Sequence, residues 1–118
     1  MWIAVALAAS LAATPSPGDP ARGQQLYRGR CGGCHAPEVN RIGPRHRGVY
    51  GARAGTQAGF RYSPALAASG VVWTAGTLDA WLTDPRRMVP GAAMGQRVPD
   101  PRDRADLIAY LRTLDAPR

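Results

Sequence analysis

Two cysteines three residues apart, with a histidine directly after the second, constrain this chain more than anything else in it: Cys31-Gly32-Gly33-Cys34-His35. They are the only cysteines, and His46 is the only other histidine. Four chemistries use such a pattern. A thioredoxin-like redox pair caps a helix inside a βαβ unit, and no stretch here shows strand alternation. A structural zinc needs four ligands, and His46 alone cannot complete the set. A disulfide between residues so close shuts a small strained loop and adds little stability. Covalent haem attachment accounts for every part of the motif: the thiols add across two vinyl groups on one ring edge, and the adjacent imidazole reaches the iron. On this reading the two glycines give clearance where the backbone passes the ring.

The remaining sequence suits a chain that packs on a cofactor. Its 118 residues hold one domain with a modest core, aromatics make up only 7%, and Gly (14) and Pro (11) are plentiful, which favours short helices joined by shaped loops. Asp19-Pro20 predicts a capped helix running through Arg30 toward Cys31. Residues 36–60 keep no period and read as a long loop. Ser63-Pro64 opens a short helix that Gly70 ends, and Gly76-Thr77 opens another that Pro85 stops. Residues 85–101, with four prolines and two glycines, read as a second irregular loop. Asp100-Pro101 repeats the capped start, and the last helix places Leu107, Leu111 and Leu114 on one face. The expected class is all-α, a terminal helix at each end with short helices and two long loops between, and the loops need a common object to pack on.

Haem iron takes a sixth ligand or keeps an open position. Methionine sulfur suits electron transfer, and Met88 and Met94 follow His35 in the chain. Met94 lies in "VPGAAMGQ", where small residues let the backbone cross close to a flat ring; Met88 reads as a gap-filler beside a helix end.

The formal charge is +7, from 15 basic against 8 acidic side chains, and every basic residue is arginine. Long-range attraction then favours an anionic partner. The arginines are scattered, without the runs or interleaved aromatics of a nucleic-acid binder, so docking on an acidic protein face ranks above nucleic acid. Residues 2–13 are apolar, too short to cross a bilayer at about 20 residues, and end in small residues. They read as a secretory segment, with Ser10-Leu11-Ala12 fitting the cleavage pattern. The basic flank is absent, so an uncleaved interfacial anchor stays open. The expected organisation is a signal peptide over 1–13, a linker over 14–18 and one domain over 19–118.

Through "CGGCH", "GPRHRGVYG", "AGFRYSPA", "GVVWTAGTLDAWLTDP", "VPGAAM" and "RADLIAYL", about residues 19 to 115, the chain resembles the class I c-type cytochromes, in particular the mitochondrial cytochrome c group and its photosynthetic-bacterial relatives. The resemblance implies the cytochrome c fold, with the terminal helices packed together and one haem c held through Cys31 and Cys34. It implies His35 and Met94 as iron ligands and the Pro44 carbonyl as partner of the outer His35 nitrogen. It implies Tyr62 and Trp73 as hydrogen-bond donors to a buried propionate, and Gly23 and Tyr27 packed against Leu107 and Tyr110. This sequence also departs from the family. Ala52 stands where an arginine is usual, with Arg53 next to it, and Trp81 replaces a tyrosine near the methionine. The segment after Met94 is one residue shorter, with Gln96 near a missing aromatic. His46 takes a commonly apolar position, as a packed or surface histidine or an alternate iron ligand.

Functionally, the resemblance implies a monomeric, periplasmic bacterial carrier of single electrons, without catalytic residues. It would work between a quinol:cytochrome c reductase and a terminal oxidase or other haem protein, in a respiratory or photosynthetic chain. Arg47, Arg53, Arg86, Arg87 and Arg97 would steer it to acidic docking faces, with no nucleic acid and no membrane contact beyond partners or an uncleaved N-terminal segment. Two alternatives remain: a haem enzyme or gas sensor whose distal position opens, and a dedicated electron-transfer subunit of a dehydrogenase or sulfur-oxidising complex.

Overall fold

Two Asp-Pro pairs start the terminal helices. The Asp19 carboxylate accepts from the amides of Ala21 and Arg22 at the head of α1 (Pro20–Arg30). In the chain's last helix, Pro101–Thr113, Asp100 does the same for the Arg102 amide. A short side-chain acceptor answers an otherwise orphaned amide, and the fixed φ of proline suits the first turn. The computed structural model describes residues 3–4 and 18–115, so the expected signal segment and most of the linker lie outside the described residues.

Between the termini lie three further helices. Ser63 caps α2 (Pro64–Ala67). For α3 (Ala75–Thr83) the cap is Thr74, whose hydroxyl accepts from the Thr77 amide while the Thr77 hydroxyl accepts from the Thr74 amide. The helix therefore begins ahead of the expected Gly76-Thr77 start, because Thr77 is the inner half of a reciprocal cap rather than the opening residue. The expected irregular run from Pro85 is also corrected: Asp84 ends α3 and accepts from the Arg87 amide, which sets a single turn, α4 (Pro85–Met88). The last helix is α5. Among the described residues there is no sheet, only an isolated antiparallel bridge between Arg53 and Val72.

Helices α1 and α5 form the main contact of the fold. Gly23 permits their crossing: a Cβ there would strike the Asp106 carbonyl and lie 2.9 Å from Tyr110 Cβ. Tyr27 and Leu107 are 3% and 1% exposed beside it. Charge reinforces the crossing. Arg22 reaches both Asp103 and Asp106 at 2.7 Å, Arg30 reaches Asp103 at 3.0 Å, and the Asp19 amide donates to Asp106 at 2.8 Å. Two carboxylates as buried as these require such partners. Burial alone would raise the Asp106 carboxyl; the Arg22 guanidinium, the Asp19 amide and Arg102 outweigh it and hold the group below its ordinary value.

The long loop after His35 is fastened at points along its length. Gly48, at φ +78, donates its amide to the Leu114 carbonyl at 2.6 Å. Gly51 donates to the Trp73 carbonyl at 2.6 Å, and Trp73 donates back to Ala52 at 2.9 Å. The same buried core continues from the helix crossing to α3 through Trp73, Leu78, Trp81, Leu82, Val89 and Val98. Trp73 and Trp81 meet edge to face at 5.3 Å.

Candidate haem-binding site

One cavity of about 510 Å³ opens between the end of α1, the loop from His35 to Tyr62, α3, the loop after α4, and α5. Cys31, Cys34, His35, Pro44, Tyr62, Trp73 and Met94 all line it; Met88 does not. Its size is that of a cofactor pocket. Leu78, Leu82, Val98, Leu107 and Leu111 give it apolar walls. The donor set is two thiols, one imidazole and one thioether, and Arg53 and Arg61 on the lining can face carboxylates. These residues fit a haem, which is apolar over its faces, anionic at one edge and ligated by nitrogen and soft sulfur.

The helix α1 delivers the attachment motif. Cys31 is its C-cap, with an amide that donates to the Tyr27 carbonyl at 2.8 Å, and His35 donates back to the Cys31 carbonyl at 2.8 Å. This turn needs Gly32, because a Cβ there would lie 2.6 Å from the Arg28 carbonyl oxygen. Gly32 thus clears the chain's own helix. No disulfide joins the thiols. Burial pushes the Cys31 thiol up to about 11, only partly offset by Arg30, so it stays protonated at neutral pH. No group of three or more His, Cys, Asp or Glu among the described residues is placed to hold a metal ion, so a zinc centre has no ligand set here.

His35 is fixed by its surroundings. Its Nδ1 lies 2.8 Å from the Pro44 carbonyl, which makes Nδ1 the protonated nitrogen and leaves the Nε2 lone pair for a metal. A Cβ on Gly43 would strike the ring, so the neighbouring backbone leaves the imidazole room only because that residue is glycine. Burial lowers the His35 pKa while the Pro44 bond acts the other way. The neutral form is the ligating one.

His46 belongs to this wall. Its ring stacks on His35, centroids 4.2 Å apart at 25°, and its Nδ1 shares a hydrogen bond with the Tyr27 hydroxyl at 2.7 Å. Burial and the neighbouring His35 push it down to about 3. It is a packed histidine, and the sequence did not show that it packs on His35. The available signal was its place two residues beyond Pro44, whose carbonyl holds the same ring.

Tyr62 accepts from the Gln57 amide at 3.1 Å, leaving its own hydroxyl proton for another acceptor. Arg45 donates to the Gln57 side chain at 3.1 Å and places a positive charge behind that pair. Burial raises the Tyr62 pKa, with the Gln57 amide and Arg45 opposing it, so the phenol is a donor at neutral pH. Trp73 is 6% exposed, and Trp81 lines the cavity beside it. Of the five arginines expected on a docking face, three make internal contacts. Arg47 pairs with Glu38 at 2.6 Å, Arg97 with Asp84 at 3.2 Å, and Arg86 donates to backbone carbonyls near Met94. Arg53, Arg86, Arg87 and Arg97 are all exposed, and Arg47 is half-buried.

The pattern of the cytochrome c family matches residues 20–115. A cytochrome c2 of Rhodopila globiformis is 44% identical over 101 residues, covering 83% of this chain and 95% of the relative. Cytochrome c of Euglena viridis is 40% identical over 100 residues, 82% of this chain and 98% of that one. The solved structure of cytochrome cH from Methylobacterium extorquens superposes with a TM-score of 0.78 at 42% identity, over 81% of this chain and 99% of its own. The chain therefore belongs to the cytochrome c family, as a class I c-type cytochrome that carries one haem through Cys31 and Cys34 and transfers single electrons.

Proposed function

We propose that this cytochrome holds its iron between His35 and Met94 and works as a periplasmic bacterial carrier between a quinol-oxidising reductase and a terminal oxidase or another haem protein. The observation that carries the ligand assignment is that Met94 lines the cavity shared by Cys31, Cys34 and His35, whereas Met88 does not. In this reading residues 1–13 are a signal peptide, 14–18 a linker and 19–118 the functional domain.

When bound, the haem supplies a one-electron couple at iron. The protein does the rest. Pro44 fixes the proton on His35 Nδ1, so the ring presents Nε2 in a single orientation. Tyr62 offers its hydroxyl proton, and Trp73 its indole N–H, to a carboxylate brought into the cavity. The apolar walls exclude water and keep charge reorganisation small. With His35 and Met94 as its ligands the iron would keep no open position for a substrate, so the chain acts as a carrier without catalytic residues. The loop bearing Met94 favours this reading over a labile distal site. Gln96 donates to the Arg30 carbonyl at 3.0 Å, Arg97 pairs with Asp84, and the Val98 amide donates to the Leu82 carbonyl at 2.7 Å.

Exposure of the ferrous protein to carbon monoxide tests the proposal: the spectrum should not change, and prompt formation of a carbonyl adduct would refute the assignment of both His35 and Met94 as ligands. The docking proposal expects association with an acidic partner to slow as salt rises; a rate independent of ionic strength contradicts it.

A further inference from the structure

Arg86 touches the ligand loop on both sides of Met94 without lining the cavity. It projects from α4, which is anchored by the Asp84 cap and by the fully buried Pro85. Its Nε donates to the Ala92 carbonyl at 3.2 Å and its Nη2 to the Ala93 carbonyl at 3.1 Å. Beyond the methionine the same guanidinium covers Gly95, where a Cβ would lie 2.9 Å from both Cζ and Nη1. One planar group thus meets residues 92, 93 and 95, which bracket position 94. The loop has no regular structure of its own between Val89 and Pro99. A thioether is a weak, uncharged ligand, and the ordering of its loop must be met from elsewhere.

We propose that Arg86 is the positioning residue of the distal ligand, its guanidinium clamping the backbone on either side of Met94 so that the sulfur stays directed into the cavity. The proposal rests on the assignment of Met94 as ligand. It needs arginine for its shape: two directed donors on a flat face that lies against Gly95, which a lysine ammonium lacks.

The test is a titration of the ferric holoprotein with imidazole, which competes for the methionine's position, read beside the methionine-to-iron charge-transfer band. Arg86→Ala should bind imidazole about tenfold more tightly, equivalent to about 1.4 kcal/mol, and show a weaker band. Arg86→Lys, which keeps the charge but not the fork, should recover only part of the difference. Gly95→Ala, which pushes the guanidinium aside, should move in the same direction as Arg86→Ala. Arg87→Ala removes the same charge one residue away and should match the wild type. Far-ultraviolet dichroism, followed through unfolding, separates local release from global loss of structure. Wild-type imidazole affinity in Arg86→Ala, or an equal gain in Arg87→Ala, overturns the proposal. A wild-type protein without the band overturns the Met94 assignment itself, so the two failures are distinct.

Discussion

Replacing Gly23 by alanine should destabilise the protein by about 2 kcal/mol, although the same change in an open helix stabilises. The added Cβ would strike the backbone carbonyl of Asp106 and crowd Tyr110 Cβ at 2.9 Å. A backbone carbonyl cannot swing away as a side-chain tip does, so α1 and α5 must part. Tyr27, Leu107, Tyr110 and Leu111 are buried there, and at about 2 kcal/mol for each buried side chain they represent about 8 kcal/mol. A gap approaching 1 Å forfeits a quarter to a half of the contact energy. Taking a third, about 3 kcal/mol is lost, against about 1 kcal/mol gained from helix propensity. Guanidinium denaturation of the ferric holoprotein gives the change directly. Gly29→Ala is the internal control: it lies on the same helix with nothing within 4 Å of the added Cβ, and should stabilise by up to about 1 kcal/mol. If both variants stabilise alike, Gly23 is not the crossing point and the packing argument fails.

Tyr27→Phe should cost about 1–3 kcal/mol by leaving His46 Nδ1 without its hydrogen-bond partner, and the double variant with His46→Leu should cost less than the two singles summed; strict additivity in denaturation would show the pair to be uncoupled. Acid should also loosen the α1–α5 contact. Because the folded state depresses the Asp106 pKa, its stabilisation is present above the ordinary value of 3.8 and is lost as pH falls through the folded value. Melting temperatures measured downward from about pH 4 should fall less steeply in Asp106→Asn than in wild type. Parallel slopes would refute that role.

The parts of the fold readable from sequence are those decided locally. Asp19-Pro20 and Asp100-Pro101 each put an acceptor and a fixed φ side by side, so both terminal helices could be placed from dipeptides. Asp84-Pro85 carries the same signal, yet the prolines and glycines that follow obscured the single turn it starts. Thr74 and Thr77 form a cap only as a pair three apart, which shifted the start of α3. The cysteine motif and the Met94 segment are likewise local. The stacking of His46 on His35 and the clamp by Arg86 are not, since each joins segments that meet only after loops have closed. For the same reason, the partners of Arg47, Arg86 and Arg97 within the chain were not legible, although Arg86 and Arg97 keep the exposure expected of a docking face.

Whether iron is held by His35 and Met94 is decided by the ferric absorption spectra of Met94→Ala and Met88→Ala beside that of the wild type. Met94→Ala should lose the methionine-to-iron band and low-spin character while Met88→Ala keeps both. Loss of the band in Met88→Ala with its retention in Met94→Ala would contradict it.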